Sequence, residues 1–274
     1  MEQNENNNVQ NKPVDEMQEF TDAVNNIKKT ETCTLPSKGL LYEPQENISQ
    51  SITIRRMTTR EDKMRMRNES DNLIMRDILQ ACILDKNVDA GKLKIADANY
   101  LLFKLRVISL LDDTYKVACT CPYCQTRFIH QINLSEVPVT YLDEDKVNLM
   151  KVQLPFSKNN VDFKMPSLND MITAGANWDD YFARFPDADK NEYLYTFLSS
   201  LYIDKVNGKK LMSLECEDFI DSIDIIDGRA IRDIISKLSN LYGYVETIKA
   251  ECPSCKKSVE HGLPITSELF TPSK

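Results

Sequence analysis

Cys121 and Cys124 enclose Pro122 and Tyr123, and Cys252 and Cys255 enclose Pro253 and Ser254. Thiolates two residues apart can turn both sulfurs toward one ion about 2.3 Å away, and two such pairs complete a tetrahedron. The chemistry this spacing serves best is a structural four-thiolate site for Zn2+, with Cys121, Cys124, Cys252 and Cys255 as ligands. The flanks repeat as well as the motifs. TYKVACTCPYCQTRFIHQINL parallels YVETIKAECPSCKKSVEHGLPI, and His130 and His261 each follow the second cysteine of their motif by six residues.

Both flanks alternate apolar and polar residues, as half-buried strands do. The pair therefore looks like an internal repeat of a zinc-ribbon hairpin. The gap is unusual. It leaves 127 residues between Cys124 and Cys252, against the roughly 15 to 20 of a compact site, so a segment of domain size is inserted between the halves.

C-P-Y-C is also the active-site tetrapeptide of glutaredoxins, in which a low-pKa thiolate sits at a helix N-terminus. The residues after Cys124 run Gln125-Thr126-Arg127-Phe128-Ile129-His130-Gln131-Ile132-Asn133. This β-branched and aromatic run suits a strand, and the redox reading leaves the second motif unused. Cys119 is spaced to substitute as a ligand, but four better-placed thiolates already fill the shell. Cys33, Cys82 and Cys216 read as small apolar residues. The histidines are either alternative ligands or equivalent strand positions in two similar hairpins, and the second reading is the simpler.

The elements that must position these cysteines give an α+β chain: a helical N-terminal part packed on a split zinc ribbon, with a mostly helical domain inserted between its two hairpins. Residues 1–31 form a tail that is polar and expected to be disordered over its first sixteen residues. Its second half carries Met17, Phe20, Val24 and Ile27 at helical spacing, a candidate short amphipathic helix for a partner's groove. Residues 32–138 hold a strand with Ile52 and Ile54 on one face, then helices and the first hairpin. A capping box of Thr58 and Glu61 starts a helix expected to reach about Asn68. A second helix runs from Ser70 or Asp71 to about Leu84, and Asp97 is expected to cap a third, whose Leu101, Leu102, Leu105 and Ile108 face inward.

Residues 139–242 make the insert. Two strand-like runs flank Lys158-Asn159-Asn160, Ser167 and Asp170 open a helix, and Val206-Asn207-Gly208-Lys209 reads as a tight turn. Helices are expected over Asn191–Tyr202, Glu215–Ile223 and Asp227–Asn240. Trp178, Tyr181, Phe182 and Phe185 cluster as insert core, or as a protein-contact patch with Trp178 and Tyr181 as anchors. Residues 243–274 carry the second hairpin and a C-terminal tail.

With 42% hydrophobic and 28% charged residues, the composition is that of a soluble globular protein with no bilayer-spanning stretch. Eight cysteines without an export signal suit metal in a reducing compartment rather than disulfides. A net charge of −8 opposes phosphate binding, which needs a basic stripe. The richest run, Arg55, Arg56, Arg60, Lys63, Arg65 and Arg67, is interrupted by Glu61 and Asp62. There is no phosphate-binding glycine loop and no visible catalytic constellation, so neither an enzyme nor a small-molecule substrate is expected.

In order, LPSKGLLY (35–42), ITIRRMTTRED (52–62), the CPYC hairpin, VQLPFSKNNVDFKMPSLNDM (152–171), VNGK (206–209), DGRAIRDII (227–235), and CPSC with LPITSELFTP resemble the baseplate hub and hub-assembly proteins of T-even-type tailed phages. The likeness spans about residues 35 to 272. One departure is Leu269, where the family pattern would place a second aromatic beside Phe270. The resemblance implies a non-enzymatic structural or chaperone-like assembly protein of a contractile-tail baseplate hub. Its partners would be other hub proteins, in the host cytoplasm during assembly and then the virion. The alternative from the residues alone is a zinc-ribbon regulator that binds nucleic acid.

Overall fold

The computed structural model describes residues 30–271 except 111, 185–189, 246 and 264. Met17, Phe20, Val24, Ile27 and Phe185 lie outside the described residues. Strands β1 (Thr30–Thr34) and β2 (Ser51–Arg55) pair antiparallel, placing Cys33 opposite Ile52. Ile52 and Ile54 share the buried face, as the alternation requires. After β2 the Thr58–Glu61 capping box forms. The helix it opens, α1 (Thr59–Asp62), lasts one turn before tightening to 3-10 geometry over Lys63–Met66, short of the expected Asn68. Glu61 is turned inward to Arg55, and Arg67 is drawn to Asp77 on the following helix. Tertiary ion pairs thus override a run of good helix formers.

Helix α2 (Asp71–Cys82) buries Ile74, Ile78 and Cys82 along one side. Helix α3 (Ile95–Leu110) is apolar nearly all round, with Leu101, Leu102, Phe103 and Leu105 almost wholly enclosed, and it forms the axis of the main core. Asp97 does not cap α3. The helix begins two residues earlier because its first donors find partners elsewhere in the fold: Lys94 N–H donates to the Tyr42 hydroxyl (2.9 Å) and Ile95 N–H to the Pro166 carbonyl (3.0 Å). Asp97 is instead buried, its carboxylate accepting from Ser37 N–H (2.9 Å) and Tyr42 O–H (2.7 Å).

From α3 the chain passes into β3 (Thr114–Thr120) and β4 (Arg127–Asn133), a seven-pair antiparallel hairpin. At Val139–Thr140 (β5) it leaves the main core, and at Gly243–Tyr244 (β10) it returns; these short strands pair with each other. Gly243 lies at φ +106°, and a Cβ there would stand 2.9 Å from that of Ala96, so only glycine permits this approach to α3. Tyr244 then packs edge-on against Phe103 at 4.5 Å.

Between β5 and β10, β6 (Lys151–Gln153), β7 (Asn160–Phe163), β8 (Ile203–Val206) and β9 (Lys209–Lys210) make a four-stranded antiparallel sheet in sequence order. Helix α4 (Leu168–Phe182) lies against α2, while α5 (Lys190–Ser200), α6 (Ser213–Ser222) and α7 (Ile225–Ser239) bring Tyr195, Cys216, Ile220, Ile231 and Leu238 to the core of this sheet. This segment has its own core, including Leu154, Val161, Ile203, Ile231 and Leu238. Ser167 and Asp170 form the expected capping box, and Asn207 and Gly208 both have positive φ, as a type I′ turn demands. Helix α7 is capped by Asp224, which moves its start ahead of Asp227. The Asp227 carboxylate, already inside the helix, accepts from the amides of Phe156 and Ser157 across the segment. The chain closes with β11 (Thr247–Glu251) and β12 (Ser258–Gly262), then a 3-10 turn. That turn buries Leu269 and Phe270 in the main core, so the aliphatic at 269 fills its place there.

Candidate metal centre

Each C-P-x-C motif is the tip of a hairpin, and the two tips are built alike. In the first, Cys121 N–H donates to Thr126 O (3.0 Å) and Gln125 N–H to Cys121 O (2.9 Å). In the second, Cys252 N–H donates to Lys257 O (3.0 Å) and Lys256 N–H to Cys252 O (2.9 Å). Gln125 and Lys256, each just past the second cysteine, have φ 58° and 59°. This left-handed residue reverses the chain within the knuckle and leaves both sulfurs on one side.

The tips face each other. Cys121 Sγ is 3.6 Å from Cys255 Sγ, and Cys124 Sγ is 3.6 Å from Cys252 Sγ. All four sulfurs lie within 4.8 Å of one another. Four sulfurs about 2.3 Å from a central ion would stand about 3.8 Å apart, whereas a disulfide needs about 2.05 Å. The arrangement therefore fits a tetrahedral ion and not two disulfides. Cys121 and Cys252 are fully buried, Cys124 is exposed and Cys255 lies between.

Cys124 is the acidic one, at about 6, because the Thr126 hydroxyl, 3.3 Å away, and the Thr126 amide favour its thiolate. Cys255 is pushed up to about 11: the Lys257 amide pulls the other way, but burial and the neighbouring thiols prevail. A divalent ion would relieve that conflict by taking all four as thiolates.

Cys119 points elsewhere, its thiol donating to the Val117 carbonyl inside the main core. Burial pushes the Cys33 and Cys82 thiols up to about 12 and Cys216 to about 11, in keeping with their reading as small apolar residues. His130 pairs with Val117 and His261 with Ile248, each partner four residues before the first cysteine of its knuckle, so the histidines occupy equivalent strand positions. Neither belongs to the four-sulfur group, and His261 meets the Phe128 ring at 6.3 Å. The chain after Cys124 enters strand β4 and not a helix, so the geometry that activates a glutaredoxin-type thiolate is absent at this knuckle.

Two contacts between the hairpins carry little signal in the sequence. The Lys257 ammonium sits 4.3 Å over the Tyr123 ring, tying one tip to the other, and Phe128 joins Ala250 and Val259 beneath the sulfurs.

Three of the six cations in the arginine-rich run are ion-paired. Arg55 binds Glu61 at 3.0 Å, Arg65 binds Asp62 at 2.8 Å, and Arg67 binds Asp77 at 2.8 Å and Glu69 at 3.6 Å. Trp178 and Tyr181 stack at 5.9 Å on α4 and pack with Phe197 of α5; Tyr181 is buried and Trp178 half-buried. No described helix is long and apolar enough to cross a membrane.

Residues 27–271 match the family model described as T4 bacteriophage base plate protein. The chain belongs to that family. No curated protein and no solved structure matches this baseplate protein significantly. Membership makes it a structural phage protein that associates with other baseplate proteins in the tail.

Proposed function

We propose that this baseplate protein is a non-enzymatic component or chaperone-like assembly factor of the baseplate hub, shaped by a structural Zn2+ clamp in a split zinc ribbon. The observation that carries the clamp is the convergence, within 4.8 Å, of four sulfurs from hairpins 127 residues apart in the chain. Cys121, Cys124, Cys252 and Cys255 are the ligands, and bound zinc would supply cross-linking rather than Lewis-acid chemistry, because four thiolates leave no open position. The clamp holds the second hairpin and C-terminal turn against the core from which the 139–242 segment departs. The surfaces that meet other hub proteins then lie on a frame of defined shape.

The non-enzymatic reading is supported by the lining of a concavity of about 540 Å3 between α4, α5 and α6. Its cysteine, Cys216, is buried and protonated, and its buried Glu217 is held by Arg184 and Ser213. A nucleic-acid regulator is disfavoured by the ion-paired arginines and the acidic net charge.

Purified full-length protein should contain one zinc per chain by atomic emission, and should co-purify with hub proteins from infected cells. It should not be retained on DNA or RNA at low salt. Mass spectrometry of finished particles then separates a virion subunit from a transient factor. A metal-free protein indifferent to chelators would remove the clamp, and salt-sensitive nucleic-acid retention would restore the regulator.

A further inference from the structure

Strand β4 has a free edge. The bonds that bracket its hairpin run from Cys121 N–H to Thr126 O (3.0 Å) and from Leu134 N–H to Asp113 O (2.8 Å). Between them Cys119 faces Phe128 and Val117 faces His130, so antiparallel alternation assigns the bonds to β3 to the even-numbered residues of β4. The amides and carbonyls of Arg127, Ile129 and Gln131 therefore point away from β3. Their sheet consists of β3 and β4, and no backbone bond from another described segment reaches these three residues. All three are exposed, and Ile129, near the centre of the seven-residue strand, is 69% exposed.

A long open edge with an apolar centre is a template for another strand, which is why proteins shorten such edges or place charges on them. Other edges in this chain are treated in that way. Strand β9 is Lys209–Lys210, the three-residue β6 begins with Lys151, and β12 has Glu260 at its centre. Strand β4 has neither proline nor bulge, and its one full charge, Arg127, stands at its end. We propose that this edge pairs with β4 of a second copy of the chain, antiparallel about a two-fold axis at Ile129. In that register every outward residue meets an outward residue: Ile129 faces Ile129 and each Arg127 faces a Gln131, so no like charges oppose one another. The product is a four-stranded sheet in which the two exposed isoleucines shield each other. A single strand pair is a small interface, so the dimer is weak, with a dissociation constant of about 10–100 μM.

Sedimentation velocity of the full-length protein from about 1 to about 200 μM tests this, and the wild type should pass from monomer to dimer across that range. Ile129→Lys should weaken dimerisation by about tenfold or more, because the two ammonium groups would face each other, and Ile129→Glu should do the same. An equimolar mixture of those two variants should dimerise again, since an axis through position 129 sets one charge against its opposite. Gln131→Pro removes an outward N–H and no bond within the hairpin, and should also weaken the dimer. Glu260→Pro, on the edge of β12, should leave it unchanged. Circular dichroism matching the wild type shows that each variant is folded. The proposal is overturned by a wild type that stays monomeric throughout, by a dimer that Ile129→Lys or Gln131→Pro leaves intact, by failure of the mixture to recover it, or by an equal loss from Glu260→Pro.

Discussion

Replacing Cys252 by serine should loosen the protein far more than the loss of one buried sulfur would suggest. An ion held by the four thiolates would join Cys124 to Cys252 across 127 residues, and a permanent cross-link over a loop of that length lowers denatured-state entropy by about 5 kcal/mol in the chain-entropy treatment. Other contacts already restrain the second hairpin. Ile248, Leu263, Leu269 and Phe270 insert into the main core, and Thr140 pairs with Gly243 where the intervening segment departs. Part of the closure entropy is therefore spent without the metal, and the expected destabilisation of Cys252→Ser is about 2–5 kcal/mol. Urea unfolding followed by circular dichroism, with zinc measured on the same samples, is the assay. Wild type treated with a strong chelator should fall to the stability of the variant, and the chelator should then have no effect on the variant itself. If Cys252→Ser keeps a full equivalent of zinc and the wild-type midpoint, the clamp reasoning is wrong.

Three further outcomes follow from particular contacts. Glu61 is buried under Arg55, and although burial opposes ionisation, bonds from Arg55 and Thr58 lower its pKa to about 2. Its depressed folded pKa contributes stability above the unfolded value of about 4.5 that is lost as pH falls toward 2. Glu61→Gln should accordingly cost about 2 kcal/mol at pH 7, with the difference from wild type closing over that window in pH-dependent urea titrations. Tyr42→Phe removes a 2.7 Å bond to the buried Asp97 carboxylate and the acceptor of Lys94 N–H, and should lower unfolding stability by about 1–3 kcal/mol. Gly243→Ala places a methyl against Ala96 at positive φ. It should cost about 1–3 kcal/mol in thermal or urea unfolding while leaving zinc content unchanged, since the residue acts on the β5–β10 junction and not on the ligands.

Much of the local structure was legible because it is encoded over three to seven residues. The capping boxes at Thr58/Glu61 and Ser167/Asp170, the Asn207-Gly208 turn and the alternation of Ile52 and Ile54 depend on neighbours in the chain, and all are present. Boundaries failed where distant groups supplied what local signals normally do. Helix α3 starts before Asp97 because Tyr42 and Pro166 satisfy its first amides, and the helix after Thr58 stops early because Arg55 and Asp77 claim its charged residues. Membership of the baseplate family was carried by the order of many short motifs, none decisive alone.

For the candidate metal centre, the sequence by itself singled out the four cysteines, the tight C-P-x-C turns and the two matched hairpins, since a C-P-x-C turn is local. It also determined that Cys119 and the histidines were secondary, from their spacing. Only the tertiary structure decided that the hairpins meet tip to tip with four sulfurs within 4.8 Å and that Lys257 closes over Tyr123. Those facts depend on how α3 and the β5–β10 junction bring chain segments more than a hundred residues apart into contact. Such long-range packing leaves no periodic trace along the chain.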